Sequence, residues 1–392
     1  MRSVELFAGA GGLAIGMGNA GFDHAAVLEW DHDACETLRI NQRHGVAAVD
    51  RWPIHEGDAR VFDYSSLRNV EVVSGGPPCQ PFSLGGKHQG HQDGRDMFPE
   101  AVRAVRELQP KAFIFENVKG LLRRSFATYL QYVLLQLTYP ELKKKGDEDW
   151  RKHLTRLERH QTANANSKAS GLAYNLVFEL VNAADYGVPQ KRERFIIVGF
   201  RSDLGVRWAF PEHSHSCDAL LRDQWISGDY WERHKVAKRA RPALAPRLAS
   251  RIERLRGEAP DLSMIQPWQT VRDAISDLPD PEKYPRNKIL NHRFNPGARA
   301  YPGHTGSPLD EPAKTLKAGA HGVPGGENML TRPDGSVRYF SVREAARLQT
   351  FPDNYEFFGA WSETMRQLGN AVPVKLGETI ATSVASALKG KK

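Results

Sequence analysis

Cysteine is scarce. The 392 residues hold three, Cys35, Cys79 and Cys217, too few and too scattered for a disulfide framework or a four-cysteine zinc site. A reducing compartment follows as the expectation. No apolar run approaches the ~18 residues a membrane span needs. Met1-Arg2-Ser3 passes directly into Val4-Glu5-Leu6-Phe7 with no apolar signal-peptide core, so neither secretion nor a membrane partner is expected and the location is read as cytoplasmic. Internal repeats and low-complexity tracts are absent, as is a GxGxxG fingerprint. Metal ligands are thin as well: His213, His215 and Cys217 leave a tetrahedral site without its fourth donor, and no metal is expected.

What the chain does have is length for two or three domains and an ordinary globular balance, 40% hydrophobic and 26% charged. It also carries a net charge of +8. Between Arg233 and Arg256 stand nine Lys or Arg and one acid, Glu253, a local surplus equal to that of the whole chain. Two readings stay open for this run, a solvated helical face or contact with a polyanion.

The first third alternates short apolar runs with helix-length intervals. Ser3–Phe7, Ala25–Leu28, Val70–Ser74 and Lys111–Phe115 are the runs, and this alternation predicts a parallel sheet covered by helices on both faces. A charged stretch from about 138 to 171, centred on Lys143–Asp149, reads as a surface insertion with some helix. Strand character returns from Leu172 and at Phe195–Phe200. Past Arg201 neither helical nor strand period persists, which predicts an irregular second domain over 201–337, with 1–200 and 338–392 forming the first. Val342–Thr350 and Lys375–Leu388 read as amphipathic helices.

Four groups of residues point to chemistry. Phe7-Ala8-Gly9-Ala10-Gly11-Gly12 is a turn whose glycines let backbone approach a ligand. Glu29-Trp30 follows the next strand, and Gly57-Asp58-Ala59 comes later. An acid after the second strand accepts ribose hydroxyls, Asp58 supplies an acceptor for an adenine amino group, and Trp30 offers an apolar face. Together these describe a nucleoside site for a compact adenosyl ligand. The second group is Gly75-Gly76-Pro77-Pro78-Cys79-Gln80-Pro81-Phe82-Ser83, which puts a thiol at the C-terminal end of a strand, where α/β enzymes place their chemistry. Cys79 is read as a nucleophile candidate, and Gly85, Gly86, Gly90 and Gly94 follow it as in a loop able to close over a substrate. Third, the strand Phe113–Val118 ends in Glu116; apolar neighbours would raise its pKa and make it a proton donor. Fourth, Gln190–Arg194 enters a strand whose alternation places Arg192 and Arg194 on one face.

In this order, the residues resemble the DNA (cytosine-5)-methyltransferases of bacterial restriction–modification systems. Phe7–Gly12, Pro77–Gln80, Glu116–Val118 and Gln190–Arg194 resemble that family's cofactor loop, nucleophile loop, acid motif and arginine motif. Arg343–Gln349 with Phe351-Pro352 is similar to its late helix, and Gly369–Val374 to its last motif.

The resemblance implies a Rossmann-like methyltransferase sheet with a smaller target-recognition domain. It implies S-adenosylmethionine as cofactor, yielding S-adenosylhomocysteine, held by Phe7, Gly9, Gly11, Glu29, Trp30, Asp58, Ala59, Pro78 and Asn370. The substrate implied is a cytosine flipped out of double-stranded DNA. Cys79 adds to carbon 6, Glu116 attends ring nitrogen 3, Arg194 holds the cytosine carbonyl oxygen, and Arg192 helps place the base and its phosphate. DNA contacts are expected at Ser83, Lys87, Arg247, Arg251, Arg254, Thr315 and Leu316. A monomeric protective methylase follows, with a cognate restriction endonuclease acting on the same site but not touching it. The same base in tRNA is the nearest alternative substrate, a catalytically silent DNA-binding module comes from another class, and a dinucleotide oxidoreductase is the third reading.

Overall fold

Apolar residues at every second position pack one face of each strand, and where both faces are covered the strands read as continuous apolar runs. The computed structural model describes residues 1–78, 96–164, 171–258, 265–319 and 326–390. Strands β1 (Arg2–Leu6), β2 (Asp23–Glu29), β3 (Ile54–Glu56), β4 (Val72–Gly75), β5 (Ala112–Val118), β6 (Tyr174–Asn182) and β7 (Glu193–Arg201) form one sheet in the order β3-β2-β1-β4-β5-β7-β6. Pairing is parallel from β3 to β5 and antiparallel between β5 and β7. The expectation of a parallel sheet thus holds for the first third, and the later strands make the sheet mixed.

Chain order reverses between β1 and β4. Leu6 and Gly75 are partners there, so the Gly-rich turn and the Pro77-Pro78 segment leave the sheet side by side, at the switch point where open α/β sheets bind ligands. The approach is close: a Cβ on Gly75 would lie 2.4 Å from the Leu6 carbonyl oxygen.

Helices α1 (Gly12–Asn19), α2 (His32–Arg43), α3 (Phe98–Leu108) and α4 (Ala127–Thr138) alternate with the strands, and α5 (Trp150–Asn164) follows. The main core joins Val4, Leu6, Leu28, Val73, Phe113, Phe115, Phe195 and Ile197 of the sheet to Phe98, Val102, Tyr129 and Val133 of α3 and α4. Trp150, Leu154 and Leu157 of α5 belong to it too, at 9%, 6% and 0% exposure. The charged segment is therefore more than surface: three apolar residues at i, i+4 and i+7 give its helix a buried stripe.

Two compact units result, Met1–Val181 with Glu193–Pro211 and Gly377–Lys392, and Asn182–Arg192 with Glu212–Leu376. The second is built from short pieces. Helices α6 (Cys217–Arg222), α7 (Asp229–Arg233), α8 (Pro246–Gly257), α9 (Val271–Ile275), α10 (Val342–Leu348) and α11 (Trp361–Asn370) join one two-stranded and one three-stranded sheet. Helix α12 (Val374–Lys389) runs from the second unit into the first. Residues 338–376, grouped with the first domain on sequence, pack in the second unit.

The expected amphipathic helix at Val342–Thr350 is instead buried nearly all round. Arg343 is 0% and Glu344 1% exposed. Arg343 donates to the carbonyls of Leu290, Pro352 and Tyr355, and Glu344 takes a two-pronged contact from Arg338. Partners supplied by distant residues let charged side chains lie where the pattern predicts solvent.

Candidate active site

Glu29 ends β2 and gathers the turn that follows β1. Its carboxylate accepts from the backbone N–H groups of Gly9 at 2.6 Å, Trp30 at 2.9 Å and Asp31 at 2.8 Å. Burial pushes this carboxyl up, and the three N–H donors pull it back toward the ionised form. Phe7, Gly9 and Gly11 all have positive φ, 55°, 53° and 85°, a conformation that is cheap only for glycine. A Cβ on Gly9 would meet nothing within 4 Å, so open space adjoins the turn. Trp30 leaves its indole 71% exposed.

At the β2–β3 side of the sheet lies a cavity of about 440 Å³ lined by Leu28, Glu56, Gly57, Asp58, Val61 and Phe62 among others. Its wall offers apolar surface and acceptors. Asp58 is gripped by Arg60 through both oxygens, Nε donating to Oδ1 at 3.0 Å and Nη2 to Oδ2 at 2.6 Å, which holds its carboxyl below the usual range. Ala59 is buried and Pro78 exposed. These residues supply hydrogen-bond acceptors, apolar surface and, at Trp30, an exposed aromatic side chain.

Glu116 and Arg194 meet, a pairing that the sequence did not indicate. In the antiparallel register Glu116 faces Ile196 and Arg194 faces Val118, making the two diagonal neighbours on one face. Arg194 Nε stands 2.5 Å from Glu116 Oε1, with both side chains about nine-tenths buried. Burial works against the Arg194 charge and Glu116 supports it. The apolar surroundings expected around Glu116 are therefore replaced by a cation. Gly76 lies alongside: a Cβ there would be 3.0 Å from Glu116 Oε2.

The segment leading to the thiol is tied down at its start. Asn117 Nδ2 donates to the Pro77 carbonyl at 2.9 Å, while Asn117 Oδ1 accepts from the Val118 N–H. Met97 N–H closes back on the Pro78 carbonyl at 3.0 Å. Cys79, Ser83 and Lys87, with the glycines expected to close over a substrate, lie outside the described residues.

Arg192 goes elsewhere. It is 0% exposed, in the second unit, and its guanidinium donates to the carbonyls of Leu316 at 3.0 Å, Gly369 at 2.6 Å and Ala371 at 2.8 Å. Strand alternation sets Arg192 and Arg194 apart from Lys191 and Glu193 as expected, and the arginine side is the buried one. The two guanidiniums nevertheless serve different units. Gly369 presses on the same place: a Cβ there would fall 2.3 Å from Ala318 N. Asn370, next in the chain, is exposed.

Leu316 is 1% exposed, with its N–H held by Gln190 Oε1 at 3.0 Å. Its place as a DNA contact is thus taken by an internal one, because Arg192 and Gln190 hold its backbone. Thr315 donates to the Lys191 carbonyl at 2.6 Å. The basic run lies partly on α8, where acids distant in sequence meet it. Arg251 pairs with Asp218 at 2.6 Å, Arg254 with Asp218 at 3.5 Å and Glu258 at 3.7 Å, and Arg247 with Glu311 at 3.4 Å. Arg247 keeps 72% of its side chain exposed.

Sequence reasoning gave no role to Asn117, Gln190 or Arg338. The first two sit inside motifs already singled out; Arg338 carries no local signal, since its partner Glu344 is defined by folding alone.

The profile of the C-5 cytosine-specific DNA methylase family matches residues 1–139 and 151–386. The chain is 29% identical to the type II methyltransferase M.NgoMIV of Neisseria gonorrhoeae, covering 99% of this chain and 98% of that one. It is 32% identical to M.Eco47II of Escherichia coli, over 98% and 79%. Among solved structures, a putative DNA modification methyltransferase encoded within an E. coli prophage superposes with a TM-score of 0.60 at 20% identity, covering 99% of both chains. The S. pombe Dnmt2 methyltransferase gives 0.54 at 16%, over 100% and 99%. With the match running over nearly the whole length, this chain belongs to the C-5 cytosine-specific DNA methylases, enzymes that use S-adenosylmethionine.

Proposed function

We propose that this enzyme is the protective methylase of a restriction–modification system and methylates carbon 5 of a flipped-out cytosine within a specific double-stranded sequence. The names of the relatives as type II methyltransferases support that role. In this reading it acts as a monomer in the bacterial cytoplasm, and a cognate endonuclease shares its site without contact. The observation that carries the chemistry is the buried Glu116–Arg194 pair at the sheet edge, with Glu116 beside Gly76, three residues before Cys79 in the chain.

Bound cofactor supplies an electrophilic methyl group on a sulfonium. Phe7, Gly9, Gly11, Glu29, Trp30, Asp58, Ala59, Pro78 and Asn370 would hold it. The Cys79 thiolate adds to carbon 6 of the base, which makes carbon 5 nucleophilic, and later leaves as the carbon-5 proton is lost. Glu116 meets ring nitrogen 3. Because Arg194 pairs with it, a proton at that contact has to arrive with the bound base or from solvent, and Arg194 is placed to hold the neighbouring carbonyl oxygen. Arg192 enters this scheme as a positioning residue: it fixes the backbone on both sides of Asn370 and at Leu316.

Residues 201–337 are assigned to target recognition and 1–200 with 338–392 to catalysis. Ser83, Lys87 and Thr315 are proposed to touch DNA, and Arg247, Arg251 and Arg254 to exchange their carboxylate partners for phosphates.

A duplex carrying 5-fluorocytosine at the target tests the scheme, since fluorine cannot leave as a cation and the adduct accumulates. Wild-type protein is expected to crosslink through Cys79, and Cys79→Ser to bind DNA without crosslinking. A crosslink at another residue, or methylation of tRNA in preference to duplex DNA in a tritium-transfer assay, overturns it.

A further inference from the structure

The stretch that follows α9 in the second unit carries a charge that the scheme above does not use. From Lys283 to Leu309 there are five Lys or Arg and no Asp or Glu. Lys283, Arg286, Lys288, Arg293 and Arg299 are all exposed, and among the described residues none of them forms an ion pair. The acids at either end of the stretch are engaged elsewhere. Asp280 and Glu282 both take Arg332, and Asp280 also lies 3.5 Å from Arg338. Asp310 holds Arg272 at 2.6 Å and the Tyr230 hydroxyl at 2.9 Å. Helix α8 differs, since Arg247, Arg251 and Arg254 each have an acid beside them. Like charges left unanswered on one short segment repel, and a polyanion removes that repulsion.

The backbone under these cations is held in place. Asn291, at a φ of 57°, exchanges hydrogen bonds with the Phe357 backbone: Nδ2 donates to its carbonyl at 3.2 Å and Oδ1 accepts from its N–H at 2.8 Å. The Asn291 carbonyl accepts the Arg343 N–H at 3.0 Å, and the Leu290 carbonyl accepts Arg343 Nε at 3.1 Å. His292 is 1% exposed. Its Nε2 donates to the Pro279 carbonyl and its Nδ1 accepts from the Ser341 hydroxyl, both at 2.7 Å. Asn287 Nδ2 ties the turn between, donating to the carbonyls of Tyr284 at 2.9 Å and His292 at 3.0 Å. Buried α10 thus carries this loop, and the loop turns its cations outward. Tyr284 and Tyr301 lie 61% and 46% exposed on the same stretch, with hydroxyls able to donate to phosphate or sugar oxygens.

Resting on the functional reading above, we propose that the loop from Lys283 to Tyr301 is a binding surface for the phosphate backbone of duplex DNA, in addition to α8. Its cations engage phosphates without first giving up a carboxylate. Its fixed backbone lowers the ordering cost of that contact. Contacts of this kind set affinity and register on the duplex and carry no base sequence.

The test measures duplex binding by the full chain across a salt series, on a target duplex and on one of unrelated sequence. Arg286→Gln, Arg293→Gln and Arg299→Gln together remove three charges from exposed positions. The expected result is a slope of log K against log salt reduced by about two to three, at roughly 0.9 per lost phosphate contact, on both duplexes. Melting temperature, and the adduct rate at saturating 5-fluorocytosine duplex, should stay unchanged. Lys143→Gln, Lys144→Gln and Lys145→Gln together remove the same charge from another exposed stretch and should leave the slope as it was. An unaltered slope in the arginine triple, an equal loss in the lysine triple, or a loss on the target duplex alone overturns the proposal. Failure of the unaltered protein to methylate duplex DNA, with the slope loss on duplex intact, would instead count against the functional reading and uphold the loop.

Discussion

At the residue scale, a few buried polar side chains decide how this protein works, and their surroundings set their charge. Glu5 and Ser74 are paired across β1 and β4, and the Ser74 hydroxyl donates to the Glu5 carboxyl. Burial pushes Glu5 up to about 8 from an ordinary 4.5. Below pH 4.5 the carboxyl is neutral in both folded and unfolded chains and costs nothing. Between 4.5 and about 8 the unfolded chain ionises while the folded one stays neutral, so stability falls as pH rises. Glu5→Gln should remove one proton's share of that dependence, about 1.4 kcal/mol per pH unit, between pH 5 and 7. Urea titrations at pH 5, 6 and 7 measure it, and an unaltered slope in the variant would contradict the assignment. For Arg192, three carbonyls lose their donor if the side chain shortens. Arg192→Lys should lower stability by about 2–4 kcal/mol through the carbonyls left without partners. Retained stability with lost activity would return this arginine to the base.

Elements turn these residues into a site by where they end. Strands β1, β4 and β5 finish at one edge of the sheet, which carries the Gly-rich turn, the Pro77-Pro78 segment and Glu116 to the same place. Helix α8 shows the opposite case, a run whose local charge overstates its field. Ile252 and Leu255 anchor it at 1% and 2% exposure, and Asp218, Glu258 and Glu311 answer part of its positive charge. In the proposed complex these carboxylates give way to phosphates. Reversing Arg247, Arg251 and Arg254 to Glu should therefore weaken duplex binding and reduce the slope of log K against log salt by about two to three, as three lost phosphate contacts require. Fluorescence anisotropy across a salt series reads both quantities, and no change in either would leave α8 as a solvated face. The strands, the Gly-rich turn and the placement of Arg192 and Arg194 on one face were legible in sequence, since periodicity and glycine report local geometry. The burial of Val342–Leu348 was not, because Arg343 and Glu344 are neutralised by partners 6 to 53 residues away.

At the scale of the molecule, two compact units form, and cofactor binding is linked to stability. A ligand that binds only the folded form adds about 2.7 kcal/mol at a hundred times its dissociation constant. S-adenosylmethionine should accordingly raise the melting temperature, and Glu29→Ala should abolish the rise, because the turn it gathers through Gly9 loses its anchor. Nicotinamide dinucleotides should produce none. Calorimetry with each cofactor decides this, and a shift that survives in Glu29→Ala would remove Glu29 from the site.

Sequence by itself determined the class of chemistry, since a thiol between prolines, an acid at a strand end and a glycine turn each follow from local pattern. Tertiary structure alone decided the partners. Glu116 faces a guanidinium rather than an apolar pocket, Arg192 grips a backbone, Leu316 is interior, and Trp150 of the charged segment packs against Tyr129. The physical reason is the same throughout: a charged or polar side chain takes its role from whichever opposite group folding brings within about 3 Å, and no spacing along the chain records that distance.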